Sequence, residues 1–414
     1  MSKKEAIQKL NKYNQQKIIK IFEKLDEEKQ EALAKQIIEM DFEQIISLYE
    51  KTKKDDVQIT GKIAPIHAID KSKLDNGEYI RLENIGKEVI KNGEYAVVTM
   101  AGGQGTRLGF NGPKGTFKLD IGDKGKYIFE ILTETLKRSA EQIGTQCNWY
   151  IMTSEENDEA TKRFFEEHDF FGYRKEKVKF FKQSTLPLIS KEGDLLMGKN
   201  FKLREASDGN GGVYKALKNS DMLEDMKENN IKWVLICGVD NIMANMVDPV
   251  FLGLTIDKGV QIGSKSIAKS YPDEKVGVFC RRDGKPSIIE YIELSEEMRY
   301  AKDSNDDLVY GDANIVSHLL TVDAIDKIAK MDLDYHIAVK KNSYLNENLE
   351  EVCPEEPNSY KFEAFVFDGF KDMEDMVVMR VKREEEFAPI KNKEGADSPE
   401  SAKKIYCLHF GDIL

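Results

Sequence analysis

Along the first 60 residues, apolar side chains recur at helical spacing among lysines and glutamates. Leu10, Ile18, Ile19, Ile21 and Phe22 open the pattern, Leu33, Ile37 and Ile38 continue it, and Ile45, Ile46 and Leu48 close it. Residues three and four apart share one helix face, so the stretch predicts two or three amphipathic helices that serve as a cap or packing arm. Ile63–His67, which contains Pro65, reads as an extended connector.

From about residue 89 the pattern changes. Short apolar runs rich in β-branched and aromatic residues predict strands at Ala96–Met100, Trp149–Thr153, Val178–Gln183 and Trp233–Val239. Helical periodicity lies between them, at Ile128–Ser139 and Asn157–His168. This alternation predicts an α/β fold with a mainly parallel sheet covered by helices. Ligands of such sheets sit beyond the carboxyl ends of the strands, so the residues directly after each strand carry most weight. Residues 351–360 (EVCPEEPNSY) and 392–401 (NKEGADSPES) are polar, turn-rich breaks.

Composition narrows the class. The 414 residues, 40% hydrophobic and 33% charged, suit a globular protein of two or three domains. No apolar run is long enough to span a bilayer, and MSKKEAIQKL lacks the apolar centre of a signal peptide, so a cytoplasmic protein without a membrane partner is expected. Cys147, Cys237, Cys280, Cys353 and Cys407 stand singly, which argues against a disulfide framework or a cysteine zinc site. The net charge of −12 and the lack of a basic stripe argue against a nucleic-acid partner.

One stretch concentrates candidate chemistry: VVTMAGGQGTRLGFNGPKGTFK, residues 97–118. It is not a dinucleotide fingerprint, because Gly103 and Gly105 are followed by Leu108 where the third glycine is required. It is not a P-loop either, since Lys114 is followed by Gly115. The physics still favours phosphate. Glycines let backbone N–H groups approach oxygens without a Cβ in the way. Arg107 offers a rigid fork and Lys114 a compact charge.

This strand and loop resemble the nucleotide-binding signature of the eukaryotic-type UDP-sugar pyrophosphorylases. Met100-Ala101 before Gly102, in place of a leucine-asparagine opening, is similar to the N-acetylglucosamine branch of that family. The resemblance runs in order over roughly residues 20 to 410. Gln183 ends KVKFFKQ, and the resemblance implies that its carboxamide reads the uracil ring, although Ser184 replaces the family's glycine. SDGNGGVYKAL resembles PDGNGG, with Ser207 for proline, which implies Gly209 beside the uracil and Asn210 on the sugar. As bare sequence DGNGG is a tight turn, and the helix-like VYKAL behind it supports a turn-to-helix site.

WVLICGVDN delivers Asp240 at the end of a buried strand. An acid there suits a hard divalent cation that also holds phosphates, and the resemblance implies Mg²⁺. The alternative is a helix N-cap before Ile242–Met246. Asp248 ranks lower as a metal acid, because Asp-Pro often simply starts a turn. DEKVGVFCRRDGKPSIIEYIE and GDANIVSHLL match family segments that imply sugar contacts for Gly277, Glu290 and Asn314. His318 reads as structural rather than as a base. DYHIAVKK and KFEAFVFD match family strands, and REEEFAPIKN implies that Lys391 reaches the phosphates.

The implied fold is a Rossmann-like, GT-A-like nucleotidyltransferase with a central mixed sheet. The expected divisions are an N-terminal helical region (1–88), a uridylyltransferase domain (89–392) and a short C-terminal segment (393–414). The implied reaction joins UTP and a hexose 1-phosphate to give a UDP-sugar and pyrophosphate, with Mg²⁺ as cofactor. N-acetylglucosamine 1-phosphate is the expected sugar, and glucose or galactose 1-phosphate the alternative. A UDP-sugar-binding protein without catalysis is the reading from another class. The nucleophile is already an anion, so charge neutralisation and positioning replace a base. Arg107 is expected on the departing β- and γ-phosphates, Lys114 on the α-phosphate and Lys391 on the sugar phosphate. Gly102, Gly103, Gln183 and Gly209 are expected on the uridine. The pattern leaves the oligomeric state open, a monomer included.

Overall fold

The computed structural model describes residues 3–53 and 61–411. The sequence readings for residues 1–2 and 54–60 of the helical region and 412–414 of the C-terminal segment lie outside them. The chain forms two compact units, one of Met1–Thr60, Ser184–Gly212 and Leu333–Val366, the other of Gly61–Gln183, Val213–Asp332 and Phe367–Leu414.

In the smaller unit the N-terminal stretch holds four helices where two or three were expected: Lys3–Lys12, Gln16–Lys24, Glu27–Glu39 and Phe42–Lys51. Two aspartates cause the extra division. Asp26 accepts the Lys29 N–H at 3.0 Å and Asp41 the Gln44 N–H at 2.9 Å, so each starts a new helix where apolar periodicity alone reads through. The apolar faces close over Leu195, Met197, Leu203 and Leu345. His336–Lys340 and Ser359–Glu363, from DYHIAVKK and KFEAFVFD, pair antiparallel as strands.

The larger unit is built on a mixed sheet. Its main path runs Val178–Lys182, Asn148–Thr153, Tyr95–Met100, Trp233–Gly238, Asp312–Thr321, Ile262–Ala268, Val377–Val381 and Ile69–Asp70. The four strands expected from the sequence are present and mutually parallel. The sheet departs from a mainly parallel one at Asp312–Thr321, which runs antiparallel to both neighbours. Ile63–Pro65 is also more than a connector, since it pairs antiparallel with Val278–Arg282. The expected helices appear as Ile128–Ile143 and Asp158–Glu167. Trp149, fully buried, donates its indole N–H to Thr99 at 2.8 Å and so satisfies the polar end of a core aromatic.

Register aligns the functional edge. Gly238 lies beside Met100, and Met100 beside Met152. Thr153 lies beside Lys182. The residues that leave these strands, Gly102, Gln183 and Asp240 among them, therefore emerge along one carboxyl edge.

Candidate active site

The glycine loop leaves strand Tyr95–Met100 and folds back on itself. The Lys114 N–H donates to the Gly103 carbonyl at 3.0 Å and the Gly105 N–H to the Gly112 carbonyl at 2.9 Å. Gln104 and Pro113 form an antiparallel bridge between them. This closure returns PKG to the strand end, so Lys114 stands beside Gly103. Asn157 supports the loop from below: fully buried, it donates to the Ala101 carbonyl at 3.0 Å and accepts the Ser154 N–H at 2.8 Å. Gly102 faces Gln183, where a Cβ would fall 2.5 Å from Oε1. A Cβ on Gly103 would meet no protein atom within 4 Å, so space for a ligand lies open there.

The cations expected on phosphate converge around Lys114. Burial depresses its pKa; Asp240 pulls it back up, while Lys391 and Arg107 push it further down. Three positive groups and one carboxylate thus share one electrostatic neighbourhood, although they come from three separate chain segments. Such a concentration of cations is costly without an anion to meet it.

Asp240 follows strand Trp233–Gly238 at a turn, and no helix spans 242–246, so the N-cap alternative drops out. Its carbonyl accepts the Ile390 N–H at 2.9 Å, one residue before Lys391. Lys391 pairs with Asp397 at 3.5 Å and lies over the Phe387 ring. Asp248 is the helix cap instead, accepting from Val250 and Phe251 at the start of Pro249–Asp257. Burial would raise its carboxyl pKa, but the ammonium groups of Lys265 and Lys71 hold it well below the usual range.

Gly277, Glu290 and Asn314 also come together. A Cβ on Gly277 would fall 2.9 Å from Glu290 Oε1, and the Asn314 N–H donates to the Gly277 carbonyl at 2.9 Å. Asn314 Oδ1 accepts the Val316 N–H at 2.8 Å, which helps hold Val316 at a φ of 55°. Gly209 and Asn210 belong to the smaller unit. Gly209 has a φ of 91°, and a Cβ there would fall 2.2 Å from the Ala364 carbonyl, so only glycine fits. Asn210 Oδ1 accepts the Val366 N–H at 2.9 Å. Both asparagines therefore commit their carbonyl oxygen to backbone.

His318 is fully buried, with Nδ1 2.8 Å from Ser264 Oγ and aromatic contacts to Phe279 and Phe370. Burial pushes its pKa down to about 3, so it stays neutral in the core, as the structural reading requires. Sequence reasoning missed Asn157 and Asn241. Both bind backbone through the carboxamide, and only the position of Asn241 directly after Asp240 gave a signal.

Glycine backbone, clustered cations and one acid at the edge of an α/β sheet are the chemistry that suits a phosphorylated ligand. The chain belongs to the UDPGP family, described as UTP–glucose-1-phosphate uridylyltransferase, whose profile matches residues 39–400. It is similar to UDP-N-acetylglucosamine diphosphorylase 1 of Arabidopsis thaliana, 35% identical over 96% of this chain and 81% of that protein. It is also similar to UDP-N-acetylhexosamine pyrophosphorylase-like protein 1 of Xenopus tropicalis, 39% identical over 79% of this chain, and it spans 66% of that protein's length. Among solved structures, the uridine diphosphate N-acetylglucosamine pyrophosphorylase of Trypanosoma brucei in complex with inhibitor superposes with a TM-score of 0.82 at 30% identity, covering 98% of this chain and 84% of that one. Among the described residues, no helix is long and apolar enough to cross a membrane.

Proposed function

We propose that the chain transfers a uridylyl group from UTP to N-acetylglucosamine 1-phosphate, giving UDP-N-acetylglucosamine and pyrophosphate. The supporting observation is the convergence of Lys114, Arg107, Lys391 and Asp240 at the glycine loop. The similarity to relatives bearing the N-acetylglucosamine name favours that sugar over glucose. In this reading the larger unit is a Rossmann-like, GT-A-like nucleotidyltransferase domain.

A phosphate oxygen of the sugar 1-phosphate attacks the α-phosphorus of UTP, and the bond to the β-phosphate oxygen breaks as pyrophosphate leaves. No proton has to be removed from the nucleophile, which suits a site whose charged groups are Lys114, Arg107, Lys391 and Asp240. Lys114 faces the α-phosphate, Arg107 the departing pyrophosphate and Lys391 the sugar phosphate. Their charges offset the mutual repulsion of two polyanions and the charge that develops on the leaving group. Gly102 and Gly103 offer backbone to the uridine, with Gln183 reading its base. Gly277, Glu290 and Asn314 face the sugar. Because Asn314 Oδ1 is taken by Val316, its Nδ2 is the end that meets a sugar oxygen.

Among the described residues, no group of three or more His, Cys, Asp or Glu side chains could hold a metal. A single carboxylate, Asp240, fits Mg²⁺, which is commonly held by one or two carboxylates together with substrate phosphates. When bound, the ion would neutralise phosphate charge.

The test is a panel of sugar 1-phosphates with UTP and Mg²⁺, followed by pyrophosphate release. N-acetylglucosamine 1-phosphate is expected to turn over fastest. Faster turnover of glucose 1-phosphate overturns the sugar assignment, and UDP-sugar binding without pyrophosphate exchange overturns the enzyme.

A further inference from the structure

Asn241, directly after Asp240, is 5% exposed and uses both ends of its carboxamide. Nδ2 donates to the Glu386 carbonyl at 2.8 Å. Oδ1 accepts the N–H of Ala388 at 2.9 Å and of Met243 at 3.2 Å. An antiparallel bridge joins Asn241 to Pro389, and the Ile390 N–H reaches the Asp240 carbonyl. The segment that ends at Lys391 is therefore laced to the strand end that carries Asp240.

The far side of that segment is anchored as well. The Glu386 carboxylate meets the fully buried Lys265 ammonium at 2.5 Å, Lys265 meets Asp248 at 2.8 Å, and Asp248 meets Lys71 at 2.7 Å. Glu386 is thus held through its carbonyl by Asn241 and through its carboxylate by Lys265. None of these groups needs to touch a substrate. Asparagine is the residue the site requires: aspartate lacks the donor for Glu386, and serine or alanine cannot reach both chain segments.

We propose that Asn241 is a positioning residue for uridylyl transfer, acting through Lys391: its carboxamide locks the 386–390 segment, whose Ile390 N–H is bonded to the Asp240 carbonyl, and so fixes where the next residue, Lys391, leaves the chain. The assignment rests on the transferase reading above. Misplacing a reacting or neutralising group by about 1 Å can cost roughly 10²-fold in rate.

The experiment measures pyrophosphate release by the full-length wild type, Asn241→Ala, Lys391→Ala and the double variant, with melting temperatures for each. Wild type inactive with every sugar 1-phosphate overturns the transferase reading, and this assignment with it. With wild type active, Asn241→Ala is expected to lower kcat about 10²-fold, with a smaller change in the KM for UTP. The double variant is expected to be no slower than Lys391→Ala, because Asn241 acts through that lysine. A purely structural role would lower the melting temperature without making the kcat effect depend on Lys391. Multiplicative losses, or near-normal kcat in Asn241→Ala, overturn the proposal. Should Asn241→Ala fail to fold, Asn241→Asp, which has the same shape without the Nδ2 donor, carries the same comparison. Failure of both to fold assigns Asn241 to folding and overturns the positioning role.

Discussion

Gly102 and Gln183 touch across the edge of the central sheet: a methyl group on Gly102 would stand 2.5 Å from the Gln183 Oε1. The two residues leave different strands, Tyr95–Met100 and Val178–Lys182, so the contact is a product of the parallel fold. It also sets the place of the Gln183 carboxamide, proposed above to read the uracil.

Gly102→Ala separates these functions. The atom it displaces is the far end of a flexible side chain, so the fold absorbs the change and the melting temperature should move little. The carboxamide, however, must turn away from its position. Loss of one good base contact is worth about 1.4 kcal/mol, or roughly tenfold in affinity for UTP. Steady-state KM for UTP beside a thermal melt checks this, and an unchanged KM removes Gln183 from base recognition.

Lys114→Ala removes the cation at the centre of the charged cluster. Turnover should fall about 10²–10³-fold with the fold intact, the usual cost of losing a preorganised charge donor. The depressed pKa of Lys114 adds a second signature. Burial and the charges of Lys391 and Arg107 lower it, and an arriving polyphosphate raises it again. UTP binding at alkaline pH should therefore take up a proton, measurable by calorimetry in buffers of different ionisation enthalpy. That uptake should vanish in Lys114→Ala, and near-normal turnover in the variant would remove Lys114 from the site.

His318 links stability to pH with a definite sign. Burial depresses its folded-state pKa to about 3 from the ordinary imidazole value of 6.5. Above 6.5 both states are neutral and its contribution is fully present. As pH falls from 6.5 towards 3, only the unfolded chain takes up the proton and the contribution is lost. At pH 5 the loss is about 2 kcal/mol. Denaturant unfolding of wild type and His318→Gln at pH 7.5 and pH 5 isolates it: the gap between them should narrow by about that amount. A constant gap would mean that His318 protonates without unfolding.

Strand identity was legible because Ala96–Met100, Trp149–Thr153 and Trp233–Val239 are short, mostly apolar runs rich in β-branched and aromatic residues, the composition of strands buried on both faces. Their order in the sheet was not, because the antiparallel insertion of Asp312–Thr321 depends on pairings made far away along the chain. The fourth N-terminal helix was missed because capping by Asp26 and Asp41 breaks a periodicity that apolar spacing alone continues. Arg107, Lys114 and Asp240 could be singled out from the residues alone, since charge among glycines or at a strand end stands out, whereas Lys391, a lone loop lysine, entered only through the family resemblance. The asparagines that hold them could not be singled out. Asn157 and Asn241 serve backbone carbonyls and amides, and such targets leave no mark in a sequence beyond the place of Asn241 directly after Asp240.

The buried charges behind Lys391 should be sensitive to loss of one partner. Burial raises the Glu386 pKa, against the pull of Lys265, while Asp248 is held low by Lys265 and Lys71. The cluster persists because two cations face two acids within hydrogen-bonding reach. Glu386→Ala leaves Lys265, fully buried, with Asp248 as its remaining carboxylate partner. Breaking a buried pair from one side typically costs about 3–5 kcal/mol, and the surviving Asp248 contact puts the expected loss near the lower end. Because the pair is shielded from solvent, added salt should change that loss little. Replacing both members, Lys265→Met with Glu386→Leu, removes the uncompensated charge but leaves Asp248 and Lys71 paired, so much of the stability should return. Urea unfolding at low and high salt measures all three. A loss below about 1 kcal/mol in Glu386→Ala, or one that salt abolishes, would show that the pair behaves as a solvated surface contact.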